Sequence, residues 1–156
     1  MAYPVFQALQ ASALAQAVAK SNHLVGAGLQ IVHITGLLLL LAGVLLIDLR
    51  ALGLVLRGQS LRTLGAETSR VLWLGLGLAA ASGALIFLTS AVRYAGNGAF
   101  ELKIALLLAA IGVQYLVQRR VFAREDGNPA AVRSAAILSL VLWFGVAAAG
   151  RAIGYI

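Results

Sequence analysis

The chain has 156 residues, of which 62% are hydrophobic and only 11% are charged, and its formal net charge is +7. A soluble domain is about 45–50% apolar and about 25% charged, so this composition excludes a soluble enzyme and a disordered protein. The lack of cysteine excludes a disulfide scaffold. We therefore predict a compact integral membrane protein in contact with the lipid bilayer. Because the positive charge lies between apolar segments, it indicates headgroups and topology rather than nucleic acid.

Four apolar segments follow an N-terminal stretch that predicts a short helix over about 5–19. A membrane-spanning helix needs about 20 apolar residues, and each segment reaches that length. Leu and Ala dominate, which favours helices over the strands of a barrel. The sequence thus predicts an all-α integral membrane four-helix bundle, one domain over residues 1–156, whose short N-terminal helix lies at the membrane interface. The predicted spans are about 24–47, 71–92, 99–118 and 134–155.

Basic residues are unequally distributed between the two sides of the predicted bundle. The connections after the first and third spans hold eight Arg residues, whereas the opposite side holds four basic residues. The positive-inside rule then places both of these connections in the cytoplasm and both termini outside. In a bacterial inner membrane, which we predict as the location, outside means the periplasm.

The second span carries Gly75, Ala79 and Gly83 at four-residue spacing. Such a ridge of small residues lets two helix backbones approach closely in lipid. We interpret the ridge as a packing surface within the bundle or in a dimer. A surface for a flat cofactor is the alternative.

One face of the first span is polar and rich in glycine, since Gly26, Gln30, His33, Gly36 and Gly43 fall in one sector of the helix. His33 lies near the middle of the span, where an unpartnered histidine is costly, so it is a candidate functional residue. Two interpretations are open. Either this face meets another helix and the imidazole bonds to a backbone carbonyl or hydroxyl, or the glycines leave a groove for a planar macrocycle that His33 ligates.

The other candidate ligands lie toward the predicted outer side. His23 precedes His33 by ten residues, about 15 Å along a helix, so the two cannot bind one metal ion within a single chain. Lys103, Arg93 and Arg151 add positive charge at that level, which suits an amphiphile with acidic ends. Haem b matches this arrangement, with iron on His33 and propionates on the cations. We predict a five-coordinate haem or a homodimer in which a second protomer supplies His23 or His33.

Two sequence motifs resemble a known group of proteins. His33-Ile34-Thr35-Gly36-Leu37, then Gly43, and Asp48-Leu49-Arg50-Ala51-Leu52-Gly53 resemble the signature of an uncharacterised group of small four-helix bacterial inner-membrane proteins. The similarity covers about residues 10–118, and the fourth span matches only in hydropathy. Further matches are Ser82-Gly83, Tyr94, Asn97 and Phe100-Glu101-Leu102-Lys103.

A first-span His and a Lys that opens the third span are also distantly similar to the copper-resistance D domain and to the HemJ-type protoporphyrinogen oxidase. The second resemblance implies a four-helix fold, bound haem b and porphyrin oxidation, with His33 and Lys103 at the positions of its His and Lys. The Trp and Arg typical of that oxidase around the first span are missing here. The resemblance thus implies haem binding and leaves a porphyrin-oxidising activity open.

The leading hypothesis is a b-type haem-binding membrane protein with a redox or electron-transfer role. An accessory or scaffold subunit held by the small-residue ridge is the second hypothesis, and a transport component for a small solute or metal is the third. Asp48 and Arg50 are two residues apart and do not face each other on a helix. We expect each of them to pair with another segment or with lipid.

Overall fold

The computed structural model describes residues 3–123 and 129–155, with the backbone alone for 120–123 and 129. Within these ranges the protein is all-α, as predicted. Its helices are α1 (Tyr3–Gln10), α2 (Ala13–Ala19), α3 (His23–Ala51), α4 (Leu61–Thr89), α5 (Ala91–Tyr94), α6 (Gly98–Ala123) and α7 (Pro129–Ala152).

Four of these helices, α3, α4, α6 and α7, are long and apolar enough to cross a membrane, which confirms the four predicted spans. Only 17% to 28% of the most apolar part of each span is buried inside the bundle. The remaining apolar surface faces outward, and so large an exposed apolar surface is unfavourable in water. The chain is therefore a multi-pass membrane protein with four candidate spans.

Two spans begin earlier than hydropathy predicts. Helix α4 starts at Leu61 rather than near 71, because the Ser60 hydroxyl accepts a hydrogen bond from the Thr63 backbone nitrogen and caps a polar first segment. Helix α7 starts at Pro129 rather than 134, and proline suits the first turn of a helix. Hydropathy detects only the apolar part of a helix, so it misses these polar first turns.

The N-terminal segment, where we expected one helix over 5–19, contains two short helices in the structure. Ser12 has an extended backbone, and its hydroxyl accepts a hydrogen bond from the Ala15 nitrogen, so it starts α2 as a separate helix. Helix α1 packs at the end of the bundle where α3 begins. Gln10 Oε1 there accepts a hydrogen bond of 2.9 Å from the Val92 nitrogen. The position of both helices at a membrane interface stays a prediction.

The segment after α3 explains the residue types of its Asp-Leu-Arg-Ala-Leu-Gly motif. Gly53 has φ +75°, a left-handed conformation that favours glycine, and it ends the helix. The guanidinium of Arg50 donates hydrogen bonds from Nε (2.8 Å) and Nη2 (2.6 Å) to the Gln59 carbonyl. Arg50 thus pairs with another segment, as predicted, and holds the 52–60 connection against the end of α3.

The four long helices form two hairpins. Helix α3 packs most extensively on α4, and α6 on α7, whereas α3–α7 and α4–α6 contacts are smaller. We call the boundary between the two hairpins the seam. The loop end of the bundle is the end at the 52–60 connection, and the histidine end is the opposite end, where α3 begins. The apolar core consists of Leu40, Val44, Ile47, Leu72, Ala110, Val117, Trp143 and Val146.

Helices α3 and α4 approach each other backbone to backbone. A methyl group on Gly75 would lie 2.5 Å from the Leu40 nitrogen and 2.7 Å from the Gly36 oxygen. A methyl group on Gly36 would lie 2.6 Å from the Ala79 nitrogen. These separations are shorter than any normal carbon contact, so only hydrogen fits at both positions. The ridge on the second span is thus a packing surface within the bundle, in agreement with the first of its two interpretations.

Gly75→Ala should lower the free energy of unfolding by about 1–3 kcal/mol, because overpacking forces the two backbones apart. Gly77→Ala is the matched control, since Gly77 is exposed and a methyl group there meets no atom within 4 Å. The control should keep or slightly raise stability through helix propensity. Denaturant unfolding in detergent micelles, followed by circular dichroism, measures both variants, and equal stabilities would contradict the backbone contact.

Candidate functional site

The imidazole of His33 is held between α3 and α4 by its Nδ1 atom. Nδ1 lies 2.8 Å from the Ala79 carbonyl oxygen and 3.2 Å from Ser82 Oγ. A carbonyl only accepts hydrogen bonds, so Nδ1 carries the proton. Ser82 Oγ donates its own proton to the Leu78 carbonyl at 2.5 Å, and its lone pairs remain able to accept from Nδ1. The neutral ring therefore keeps a lone pair on Nε2.

Glycines shape the surroundings of this ring. A methyl group on Gly83 would lie 2.9 Å from His33 Cε1, so the imidazole fits only because that residue has no side chain. Gly36 packs on Ala79, and a methyl group on Gly43 would lie 2.8 Å from Leu72 Cβ. The groove that we expected beside the imidazole at these glycines is instead filled by α4. The hydrogen bond of His33 to the Ala79 carbonyl agrees with the first of the two interpretations, in which this face of α3 meets another helix.

The Gly26 and Gln30 part of the predicted face is more open. Both residues are exposed, and a methyl group on Gly26 would meet no atom within 4 Å. Gln30 lies about one helical turn, and Gly26 about two turns, closer to the histidine end than His33. The part of this face that α4 leaves uncovered therefore lies toward that end.

Lys103 lies across the seam from His33. Its Cε and Nζ atoms would be 3.6 Å and 3.8 Å from a methyl group on Gly150, so the side chain runs along α7. Lys103 is also close enough to His33 for an electrostatic interaction between them. Within the part of the chain that the structure describes, its ammonium group has no hydrogen bond or ion pair. The structure thus brings together a histidine of one hairpin and a free cation of the other.

The remaining candidates share the histidine end but are exposed and lie apart from the imidazole. His23 is at the first position of α3, and Arg93 is in α5. Arg151 donates a hydrogen bond of 2.8 Å to the Tyr155 hydroxyl and stacks on that ring. Among the described residues, no three His, Cys, Asp or Glu side chains are grouped to hold a metal ion. A metal bound here would therefore have His33 as its ligand from this chain.

Sequence reasoning missed a second polar region, near the loop end, which we call the Gln–Trp cluster. Gln118 Oε1 accepts hydrogen bonds from Trp73 Nε1 (2.8 Å) and Ser69 Oγ (3.5 Å) of α4. Gln114 Oε1 accepts hydrogen bonds from Ser139 Oγ (2.9 Å) and Trp143 Nε1 (3.3 Å) of α7. Helix α6 is thereby tied to both neighbouring helices. The cluster consists of Ser69, Trp73, Gln114, Gln118, Ser139 and Trp143.

A signal for this cluster is present in the sequence. The chain has two Trp residues, and each follows a Ser by four positions, in Ser69-Arg-Val-Leu-Trp73 and Ser139-Leu-Val-Leu-Trp143. Gln114 and Gln118 have the same spacing. Residues four apart share one face of a helix, so each Ser–Trp pair can clasp one amide oxygen. The repeated pattern predicts polar contacts between helices, although it does not reveal which helices meet.

Comparison with known proteins places the chain in a family without assigning it a function. The chain belongs to a family of unknown function, DUF6644, whose match covers residues 7–156. The match includes the fourth span, and so extends further than the resemblance that we expected over about 10–118. No curated protein and no solved structure matches the chain.

Trp73→Phe should destabilise the protein, because it leaves the Gln118 oxygen without its strongest donor. In a double-mutant cycle with Gln118→Leu, we expect a coupling energy of about 0.6–1.7 kcal/mol, the range of hydrogen bonds between membrane helices. Tyr115→Phe, which removes an exposed hydroxyl on the same helix as Gln118, is the control. Denaturant unfolding gives the four stabilities, and strictly additive effects would show that the bond contributes nothing.

Proposed function

We propose that this member of the family is a b-type haem-binding membrane protein in which His33 Nε2 ligates the iron. The observation that carries the proposal is the hydrogen bond from Nδ1 to the Ala79 carbonyl. Metal-binding histidines almost always donate their other ring nitrogen to a carbonyl or carboxylate, which fixes the tautomer and the ring orientation. The donor atom of His33 is thus set as a haem ligand requires.

The charge beside the ring supports the same ligand. Haem b is an apolar macrocycle with two propionate groups, and a propionate binds an ammonium group through a charge-assisted hydrogen bond. Lys103 is a cation without a protein partner in the described residues; it lies along Gly150 of α7, and its charge acts on the histidine of the other hairpin. We propose that it holds a propionate. Arg93 and Arg151 are exposed at the same end, where they are available to the second propionate.

Haem bound by one histidine would supply a one-electron redox couple. The protein side of that function is to exclude water, to fix the imidazole and to balance the propionate charge. We propose electron transfer as the role, in a bacterial inner membrane with both termini in the periplasm. A sixth ligand from His23 or His33 of a second protomer remains our proposal for a dimeric form, because His23 lies at the exposed start of α3.

The surface that a scaffold role was expected to use is not exposed in the structure. That hypothesis used the Gly75, Ala79 and Gly83 ridge as the surface that holds a partner protein. In the structure Gly75 and Ala79 contact α3, and Gly83 contacts His33, so the ridge is already covered within the chain. A scaffold role would need another surface, and we therefore favour the haem proposal.

His33→Ala should abolish the Soret band of the protein purified from haem-replete cells. His23→Ala, at the other histidine of the chain, should keep the bound haem because His33 still holds the iron, and a shift of the band in that variant would identify His23 as the sixth ligand. His33→Gly should regain the band when free imidazole is added, which separates ligand loss from misfolding. Absorbance and a pyridine haemochrome assay measure the bound haem. Equal haem content in His33→Ala and the native protein would contradict the proposal.

Gly83→Ala should lower haem affinity by about 10- to 100-fold, as expected when the group that positions a metal ligand is disturbed. The added methyl group would lie 2.9 Å from His33 Cε1 and would displace the ring from the Ala79 carbonyl. Gly77→Ala, on the exposed face of the same helix, should bind haem normally. Haem titration of the apoprotein, followed by absorbance, compares the two, and identical affinities would show that the ring position is unimportant.

A further inference from the structure

Asp48 is a fully buried carboxyl group that the haem proposal does not use. Its side chain is 0% exposed, and neither carboxyl oxygen has a hydrogen-bond partner within the described residues. Nearby in the bundle, the Nε2 atoms of Gln114 and Gln118 are also buried and without a partner. A buried polar group without a hydrogen bond costs about 1–3 kcal/mol. These four unpartnered atoms toward the loop end therefore favour a bound hydrogen-bonding group such as water.

The two indole rings determine which way the amides point. An indole Nε1 can only donate, so the atom that Trp143 contacts on Gln114 must be the oxygen, and the same holds for Trp73 and Gln118. The Nε2 groups therefore point away from the rings and present N–H donors to the interior. Each Gln oxygen already accepts two hydrogen bonds. The groups left without a partner are therefore the two amide N–H groups and the two Asp48 carboxyl oxygens.

Ser139 connects Asp48 to this network. Its hydroxyl lies close to the Asp48 carboxyl group and donates its one proton to Gln114 Oε1 at 2.9 Å, so that proton is not available to Asp48. The side of Ser139 that faces Asp48 is therefore a lone pair. A carboxylate would repel that lone pair, whereas a protonated carboxyl group would donate to it. The favourable arrangement is a chain from the Asp48 O–H to Ser139 and on to Gln114.

Among the described residues none forms an ion pair with Asp48. An ionised carboxylate without a partner is very costly in a low-dielectric interior, and such a group takes up a proton instead. The described charged side chains in the part of the helices toward the loop end are exposed or bonded elsewhere: Arg50 on the Gln59 carbonyl, Arg119 on the Tyr115 ring, and Arg62, Glu67, Arg70 and Arg133 at the surface.

We propose that Asp48, Ser139 and Gln114 form a buried proton-binding site that also holds water. Asp48 carries the proton, and a water molecule accepts from the Gln114 amide and donates to the second Asp48 oxygen. Water fits better than a metal cation, because a cation would satisfy the carboxylate but would face the amide N–H donors. Gln118, one turn further along α6, has a second buried amide nitrogen without a partner in the described residues. The site is independent of haem and of His33.

Infrared spectroscopy of the full chain in lipid vesicles tests this site directly. At neutral pH the protein should show the C=O stretch of a protonated carboxyl group, shifted to lower frequency in D2O. Asp48→Asn, which keeps the shape of the neutral acid, should lose the band. Glu101→Gln, which removes an exposed carboxyl group at the other end of the bundle, should keep it. Gln114→Leu and Ser139→Ala should retain the band but move its frequency, because each removes a hydrogen bond from the network.

Three results would overturn the proposal. One is the absence of a protonated-carboxyl band in the native protein, and another is its persistence in Asp48→Asn. The third is its replacement by a carboxylate band when sodium replaces choline in the buffer, since that would make the site a cation site. If Asp48→Asn fails to fold, the Gln114→Leu and Ser139→Ala spectra decide: a shifted band supports the site and an unshifted band overturns it.

Discussion

The contact of Gly36 with Gly75 and Ala79 determines the rest of the structure. With no side-chain atom at either glycine, α3 and α4 meet at their backbones, and only this separation lets the His33 imidazole reach the Ala79 carbonyl. In lipid, close backbone packing replaces the hydrophobic effect as the force that holds helices together. The same contact sets how α3 and α4 pack in the first hairpin and so which of their groups face the seam. Packing and ligand chemistry therefore depend on one feature of the chain.

The seam has two polar regions, one toward each end of the bundle. Toward the histidine end, His33 and Lys103 lie on opposite hairpins with no direct hydrogen bond between them. Toward the loop end, Gln114 and Gln118 join α6 to its two neighbours through Ser–Trp pairs, and Asp48 lies close to Ser139 of one pair. Apolar side chains such as Leu40, Leu72 and Ala110 fill the core between the two regions. This separation suits two independent functions, one that binds an acidic amphiphile and one that holds a proton.

Composition and hydropathy were sufficient to predict the all-α class and the four spans, because lipid requires long helices whose backbone groups are internally bonded. They were insufficient for boundaries such as Leu61, where a Ser60 cap starts a polar segment before the apolar one. The sequence allowed the hydrogen bond of His33 to a backbone carbonyl as one of two interpretations. It did not reveal that α4 fills the groove at the glycines, because the residues of one helix face do not show which helix packs on it. The Gln–Trp cluster depends on three helices meeting at one level, and a pattern along the chain cannot give that arrangement.

Iron binding at His33 requires one protonation state of its ring, in which Nδ1–H bonds to the Ala79 carbonyl and Nε2 keeps its lone pair. Solid-state nitrogen NMR of 15N-histidine-labelled protein in bilayers measures it, and the chain has only two histidines to assign. We predict that the His33 signals, identified by their loss in His33→Ala, show a protonated Nδ1 and an unprotonated Nε2, with Nε2 alone shifting when haem is added. A protonated Nε2 in the haem-free protein, or signals unchanged by haem, would contradict the account.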